Sequence, residues 1–230
     1  MIPKRITKSY IAICEGTADE ETFRILTRKR GIRNIEFVCA DKDCGGFGKN
    51  YFYAVLATLT TRRDFENLKG IIIIQDSDDD PNIALREMKA QIRKANRGFE
   101  QNERFTIPLE LLVPAFNDNR PPLLLATIPW IDKPGALETL ILPSIEAKYP
   151  EVLECLNNYC QCSQKVNELS TNKQSKMRLA SMVAAICKKD PTCAIQNMWN
   201  KDEFNELMEH DCFNPLEDLF RNKRNYFKER

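Results

Sequence analysis

Acidic side chains follow two of the most apolar segments of this 230-residue chain. Glu15 comes directly after the apolar run at 9–14, and Asp76 and Asp78 follow the isoleucines of IIIIQDSDDD at 71–80. Side chains two apart on a strand point to the same face, so Asp76 and Asp78 are expected to lie together. Two carboxylates about 4 Å apart repel each other by roughly 4 kcal/mol at an effective dielectric constant near 20. A bound cation would turn that repulsion into attraction.

If the two apolar runs are neighbouring parallel strands, Glu15 and Asp76 end at the same edge of a sheet. Carboxylate oxygens are the ligands that Mg²⁺ prefers, and the ion usually keeps several waters. The sequence therefore predicts a Mg²⁺ site that includes Glu15, Asp76 and Asp78. A glutamate beside a metal, here Glu15, could also serve as a general acid or base.

Other acids in these stretches have simpler explanations. Asp80 precedes Pro81, a pattern typical of a helix N-cap followed by the first helical residue. Asp79 is expected to face solvent. Asp19 falls in the first turn of a predicted helix, where the helix dipole favours a carboxylate without any ligand.

A glycine-rich turn, GGFGK at 45–49, suggests a phosphate contact. The backbone N–H groups of Gly45 and Gly46 could approach a phosphate, with Lys49 as its charge partner. The alternative is a tight turn from strand to helix. The spacing differs from that of a P-loop, so ATP binding is not predicted. Lys176, and Lys173 beside it, are further candidates for a phosphate backbone.

The elements that must position these residues alternate between strand and helix. Strands are predicted at 9–14, 34–40, 70–76 and within 123–130, and helices at 17–31, from 52, at 80–98 and at 135–142. Thr17 and Glu20 have the spacing of a capping box for the first helix. This order predicts an α/β domain with a parallel, Rossmann-like sheet of about four strands flanked by helices. The segment 100–122 is left open as a further strand or a mobile loop.

From about residue 149 the hydrophobic pattern is helical throughout. We therefore expect an α/β domain at 1–145 and a C-terminal helical layer at 146–230 that packs on it.

The charge and the apolar content of the chain indicate which partners it could bind. The net charge of +1 gives no overall field that attracts nucleic acid. Local basic segments at 24–33 and 220–230 are candidates for such binding, with solvated helix faces as the alternative. The apolar run near the N-terminus is too short for a secretion signal or a membrane span, which predicts a cytoplasmic protein without membrane contact.

The cysteines and the histidine are less informative. Nine cysteines are scattered without a repeated CxxC pair, and no spacing among those at 155–193 matches a zinc finger or ribbon. These cysteines are expected to be reduced residues that behave as small apolar side chains, and a zinc site is the alternative. The chain has a single histidine, which excludes a mechanism that needs two.

Taken in order, the stretches CEGTADEETF, GGFG, IIIIQDSDDD and GALETLIL resemble small stand-alone Toprim-like proteins of unknown function. The Toprim domain is shared by topoisomerases, primases, recombination factors and overcoming-lysogenization-defect nucleases. The resemblance implies a Toprim-like sheet, Mg²⁺ with Mn²⁺ as a substitute, and a DNA or RNA partner. It implies that Glu15 is the acid/base or metal-bridging glutamate, that Asp76 and Asp78 hold the metal, and that Asp80 and Glu138 supply further carboxylates.

Glu138 is equally explained as an acid in the first turn of a helix. A homodimer is compatible with these expectations.

These features predict Mg²⁺-dependent cleavage of a nucleic-acid phosphodiester. The first alternative is a non-catalytic module that binds a divalent cation or regulates a partner. The second is a phosphoryl-transfer domain of receiver or haloacid dehalogenase type. Such domains also place aspartates at strand ends, but without the upstream Glu-Gly pair.

Overall fold

A five-stranded sheet forms the centre of the protein in a computed structural model that describes residues 2–40, 44–163 and 165–228. The strands are β1 (Tyr10–Cys14), β2 (Ile35–Cys39), β3 (Gly70–Asp76), β4 (Ala115–Asn117) and β5 (Arg120–Ile128). Their order is β2-β1-β3-β5-β4, with β4 antiparallel to β5 and every other neighbouring pair parallel. The α/β prediction is confirmed. The sheet has one strand more than expected, because the segment 100–122 contributes β4 at the edge.

Helices cover both faces of this sheet. They are α1 (Thr17–Lys29), α2 (Phe52–Thr60), α3 (Pro81–Asn96), α4 (Leu137–Lys148), α5 (Pro150–Ser163), α6 (Thr171–Ile186), α7 (Ile195–Met198), α8 (Asn214–Arg221) and α9 (Lys223–Tyr226). Helices α2 and α3 pack on one face, and α1, α4 and the C-terminal elements pack on the other. No helix in the described ranges is both long and apolar enough to cross a lipid bilayer.

The central strand β3 is buried on both faces, as its run of isoleucines predicts. Ile72 and Ile74 belong to the core beneath α1 and α4, whereas Ile71 and Ile73 belong to the core beneath α2 and α3. Burying each such side chain contributes roughly 1.5–3 kcal/mol relative to its exposure. The alternation continues to the end of the strand, and there it sets the face on which each polar side chain emerges.

The starts of two helices test the capping predictions. Asp80 caps α3 as predicted, because its Oδ1 accepts a hydrogen bond from the Asn82 N–H at 2.8 Å. The prediction for α1 is wrong by one residue, since Gly16 is the N-cap and Thr17 is the first helical residue. The Gly16 N–H donates to Oδ2 of Asp19 at 2.9 Å, so Asp19 and not Glu20 makes the reciprocal contact.

The C-terminal segment shares a hydrophobic core with the sheet. Phe220 of α8 makes edge contacts with Phe23 of α1 and Phe37 of β2, with ring centroids 5.6 and 5.1 Å apart. Phe227 stacks on Tyr10 at 5.6 Å. The C-terminal elements therefore hold α1, whose N-terminus lies at the site described next.

Candidate functional site

Glu15 and Asp76 meet at the carboxyl edge of the sheet, where β1 and β3 end side by side. Oε2 of Glu15 accepts a hydrogen bond from the Asp76 N–H at 3.2 Å. Oδ1 of Asp76 accepts one from the Leu137 N–H at the start of α4, also at 3.2 Å. The adjacency of the first and third strands thus brings these two predicted residues together.

Two more carboxyl groups approach the same place from helix N-termini. Asp19 lies in the first turn of α1 and is only 7% exposed, and Glu138 lies in the first turn of α4. Helix N-termini carry partial positive charge, which stabilises carboxylates nearby. The site therefore combines acids from two strand ends with acids from two helix starts.

Burial and mutual repulsion raise the pKa values of these acids. Burial, with the charges of Glu15 and Glu138, raises the pKa of Asp19 to about 7. Burial and the charges of Asp19, Glu15 and Glu138 raise the pKa of Asp76 well above its usual value. Burial also raises the pKa of Glu15, although the Asp76 N–H and the charges of Lys49 and Lys176 partly offset it. This cluster would gain stability from a nearby cation.

Asp78 emerges differently from Asp76, and here the predicted shared face is wrong. β3 ends at Asp76, and Asp78 adopts a left-handed backbone conformation with φ of 48°. Its N–H and C=O pair with the C=O and N–H of Gly135 at 2.8 and 2.7 Å. Its carboxylate accepts hydrogen bonds from Lys49 Nζ at 3.0 Å and from Asn172 Nδ2 at 2.7 Å. The strand alternation on which the prediction depended ends two residues too early.

The other predicted residues have mixed placements. Asp80 is engaged as the cap of α3, and Asp79 is exposed as expected. Lys176 is exposed on α6, and its charge lowers the pKa of Glu15, so it lies on the side of the acidic site. These positions leave Asp80 as a helix cap and Lys176 as a cation beside Glu15.

The glycine-rich turn is explained largely by its packing. Gly45 and Gly48 each have φ of 84°, a left-handed conformation that other residues rarely adopt. A Cβ at Gly46 would lie 2.2 Å from the Tyr51 ring. The tight-turn alternative therefore accounts for these glycines, while Lys49 at the end of the turn reaches the acidic edge. Asp41, Lys42 and Asp43, which begin this predicted turn, lie outside the described residues.

In the described part of the chain, no three His, Cys, Asp or Glu side chains are arranged so as to hold a metal ion. The carboxylates at the sheet edge accept hydrogen bonds from backbone N–H groups instead. The same finding applies to the cysteines considered for zinc, of which Cys155 and Cys162 are exposed and Cys187 is buried. Any metal at the acidic edge would need small side-chain movements and water ligands.

Sequence reasoning missed three residues of this region. Asp19 was explained by the helix dipole alone, although it stands four positions after Glu15 at the start of the adjacent helix. Glu87 and Asn172 were not considered, and both contact partners of the predicted site: Glu87 pairs with Lys49 at 3.1 Å and Asn172 with Asp78. Glu87 could have been considered from the sequence, because it lies within the first two turns of α3, the helix that Asp80 caps.

Several cations of the basic segments considered for nucleic acid make contacts within the protein. Arg24 pairs with Glu20 and Glu36, and Arg30 contacts Glu217, Asn214 Oδ1 and two carbonyl oxygens of the C-terminal segment. Lys223 is buried, with its Nζ donating to the Phe220 carbonyl oxygen at 2.7 Å. The final two residues of the second segment lie outside the described ranges. Arg30 and Arg221 therefore join the C-terminal elements to the sheet domain, whereas Arg28, Arg33 and Arg224 are exposed.

Comparison with known protein families matches residues 9–228 to the family described as Protein of unknown function (DUF3226). No curated protein and no solved structure matches the chain. The match covers nearly the whole sequence, including both the sheet and the C-terminal elements.

Proposed function

The chain belongs to the DUF3226 family, whose function is unknown, and we propose from the geometry of its acidic edge that it is a Mg²⁺-dependent, Toprim-like nuclease. The observation that carries the proposal is the contact of Glu15 with Asp76 at adjacent strand ends, at 3.2 Å. Asp19 and Glu138 add negative charge at the same point. The substrate is DNA or RNA, and Mn²⁺ is expected to replace Mg²⁺.

The donor chemistry fits Mg²⁺. Carboxylate oxygens from Glu15 and Asp76, with Asp78 alongside, are hard ligands, and Mg²⁺ commonly takes only one or two carboxylates and keeps its waters. Burial, together with the charges of neighbouring acids, raises the pKa values of Asp19 and Asp76, and a divalent cation nearby would favour their ionised forms. When bound, the ion would activate water and stabilise the charge that develops on the phosphate.

The residues of the chain supply the remaining functions. Glu15 is partly buried, and its burial raises its pKa, a change that favours a group that accepts and returns a proton. Lys176, whose charge lowers the pKa of Glu15, is the residue that we expect to bind the phosphate approaching this acid. Phe47, two residues before Lys49, is 59% exposed and offers a surface on which an unpaired base can stack.

The test is a cleavage assay with purified protein, Mg²⁺ or Mn²⁺, and single-stranded, duplex and structured DNA and RNA. We expect cleavage that falls at least about a hundredfold in Asp76→Asn, a loss comparable to removal of one group that stabilises a transition state. Asp79→Asn is the matched control, because Asp79 is an exposed acid three residues away. Activity that survives the substitution of Asp76 would reject the assignment.

A second candidate function is a non-catalytic module that binds a divalent cation or a regulatory partner. Two observations favour it: Asp78 is already paired with Lys49, and several cations of the basic segments make contacts within the protein. Calorimetric titration with Mg²⁺ and a nucleic-acid binding measurement distinguish the two functions. Metal binding without affinity for any polynucleotide would support the module.

A further inference from the structure

Lys49 lies between two carboxylates on the α3 side of the sheet. Its Nζ is 3.0 Å from Oδ2 of Asp78 and 3.1 Å from Oε2 of Glu87. We propose that Asp78, Glu87 and Oε1 of Gln75 form a second cation-binding site beside the Glu15–Asp76 edge, in which the Lys49 ammonium group fills the place of a divalent ion.

The side chain of Gln75 supplies the independent sign of a missing ligand. Gln75 is 1% exposed, and its Nε2 donates to Oε2 of Glu87 at 2.7 Å, the same oxygen that Lys49 contacts. Its Oε1 is buried and has no hydrogen-bond partner in the described part of the chain. A buried carbonyl oxygen without a partner is unfavourable, and coordination to a cation would satisfy it.

The space around these groups is large enough for a hydrated ion. Gln75, Asp78, Glu87 and Lys49 line a pocket of about 200 Å³ beside the start of α3. A water molecule takes up about 30 Å³ of liquid volume, so the pocket holds an ion and several waters. The side chains of Asp78 and Glu87 are 42% and 44% exposed, which leaves the site open to exchange with solvent.

The side chain of Gln75 points to the other face of the sheet from that of Asp76. Gln75 and Asp76 are consecutive in β3, and consecutive side chains of a strand point to opposite faces. Asp76 contacts the start of α4, whereas Gln75 contacts Glu87 of α3. The two sites therefore differ in their donor atoms, although Asp76 also lines the pocket of the second site. The inference does not depend on nuclease activity.

The donor set defines the class of ligand. Two carboxylates and one amide oxygen are hard donors, which suit Mg²⁺, Mn²⁺ or Ca²⁺ and not a thiolate-preferring metal. Lys49 must leave for the ion to enter, because one ammonium group and one divalent cation cannot share these oxygens without strong repulsion. In the wild-type protein we therefore expect the site to bind a divalent cation weakly. An anion that binds Lys49 and moves it away from these carboxylates would increase the affinity for the cation.

Calorimetric titration of the full chain with MnCl₂ tests the proposal. We expect a weak binding event in the wild type that becomes roughly tenfold tighter or more in Lys49→Met, because that variant removes the competing charge. Glu87→Gln should abolish this event in either background, and Asp76→Asn should leave it in place. Lys176→Met is the matched control, since Lys176 is a lysine beside Glu15 and makes neither of these contacts.

Two outcomes would overturn the proposal. One is a Lys49→Met protein that binds the same number of Mn²⁺ ions as the wild type and with the same affinity. The other is a weak event that persists in Glu87→Gln, a variant with little risk of misfolding because the side chain is half exposed. If the wild-type protein shows the weak Mn²⁺ binding event but no nuclease activity, the result contradicts the proposed function and supports the second cation site.

Discussion

The N–H of Asp76 donates to the carboxylate of Glu15 across a sequence separation of 61 residues. This contact joins the ends of the two central parallel strands, and the Leu137 N–H joins α4 to the same aspartate. A ligand that binds at this point would therefore hold β1, β3 and α4 together.

Mg²⁺ is expected to raise the thermal stability of the protein. A ligand that binds only the folded state at a hundred times its Kd stabilises it by about 2.7 kcal/mol. For a chain of this size, that corresponds to a rise in Tm of roughly 5–10 °C. The measurement is a melting curve followed by circular dichroism, with and without saturating MgCl₂. Asp76→Asn should lose most of the rise, whereas Asp79→Asn should keep it, and equal shifts in all three proteins would place the ion elsewhere.

Asp19→Asn is expected to stabilise the metal-free protein at pH 8. Burial and neighbouring acids raise the folded pKa of Asp19 to about 7, against about 3.9 in an unfolded chain. Between pH 4 and pH 7, Asp19 is protonated in the folded protein and ionised in the unfolded chain. The free energy of unfolding therefore falls as the pH rises through this range. The asparagine removes this loss and retains an oxygen that can accept from the Gly16 N–H.

The gain from Asp19→Asn should be of the order of 2–4 kcal/mol at pH 8 and should shrink as the pH falls towards 5. Urea unfolding at pH 5, 6, 7 and 8 in the presence of EDTA measures it. Asp79→Asn serves as the control, because Asp79 is exposed. A gain that is the same at every pH would mean that the substitution acts through packing and not through the charge of Asp19.

The sheet could be predicted from the sequence because its strands are buried on both faces. The isoleucines of β3 and the alternation of strand and helix determine the parallel order, and Asp80 before Pro81 determines the start of α3. The fifth strand was left open because β4 has only three residues, all half-buried, and pairs through a short hairpin. Short edge strands lack the apolar run that identified the others.

Only the part of the candidate site that lies on or directly after the strands could be predicted from the sequence. Glu15 and Asp76 could be paired because they lie at the ends of adjacent strands, but the conformation of Asp78 depends on its backbone bonds to Gly135, a contact between distant segments. The partners of Lys49 are likewise set by tertiary packing of the turn against α3. No local pattern in the sequence encodes these contacts.

Phe47→Ala is expected to weaken binding of single-stranded nucleic acid more than binding of duplex. Base stacking on an exposed aromatic ring contributes about 1–3 kcal/mol per base, and bases in a duplex are not free to stack on it. Fluorescence anisotropy with labelled oligonucleotides measures both affinities. Tyr159→Ala is the matched control, because Tyr159 is also exposed, at 56%, but lies on α5. Equal effects of the two substitutions would argue against a stacking role for Phe47.

Lys176→Met is expected to weaken nucleic-acid binding at low salt and to make the affinity less dependent on salt. Each phosphate neutralised by a lysine contributes about one unit or slightly less to the slope of log affinity against log salt concentration. The control is Lys188→Met, since Lys188 is similarly exposed but follows the end of α6. An unchanged salt slope would remove Lys176 from the binding surface.

Arg30→Met is expected to destabilise the protein by about 2–4 kcal/mol and to leave nucleic-acid affinity unchanged in the folded fraction. The side chain of Arg30 is 13% exposed, and its guanidinium group bonds to Glu217, to Asn214 and to the carbonyl oxygens of Met208 and His210. Its removal leaves two carbonyl oxygens without their charged donor and takes one of two arginine partners from Glu217, which keeps Arg221.

Arg28→Met is the control for Arg30→Met, because Arg28 lies two residues earlier on α1 and is exposed. Urea unfolding measures stability, and anisotropy measures binding under conditions in which both variants are folded. If the segment 24–33 bound nucleic acid directly, both variants would lose affinity, and Arg28→Met would do so without losing stability. The packing of Arg30 against the C-terminal segment predicts the opposite: a loss of stability confined to Arg30→Met, with both affinities intact.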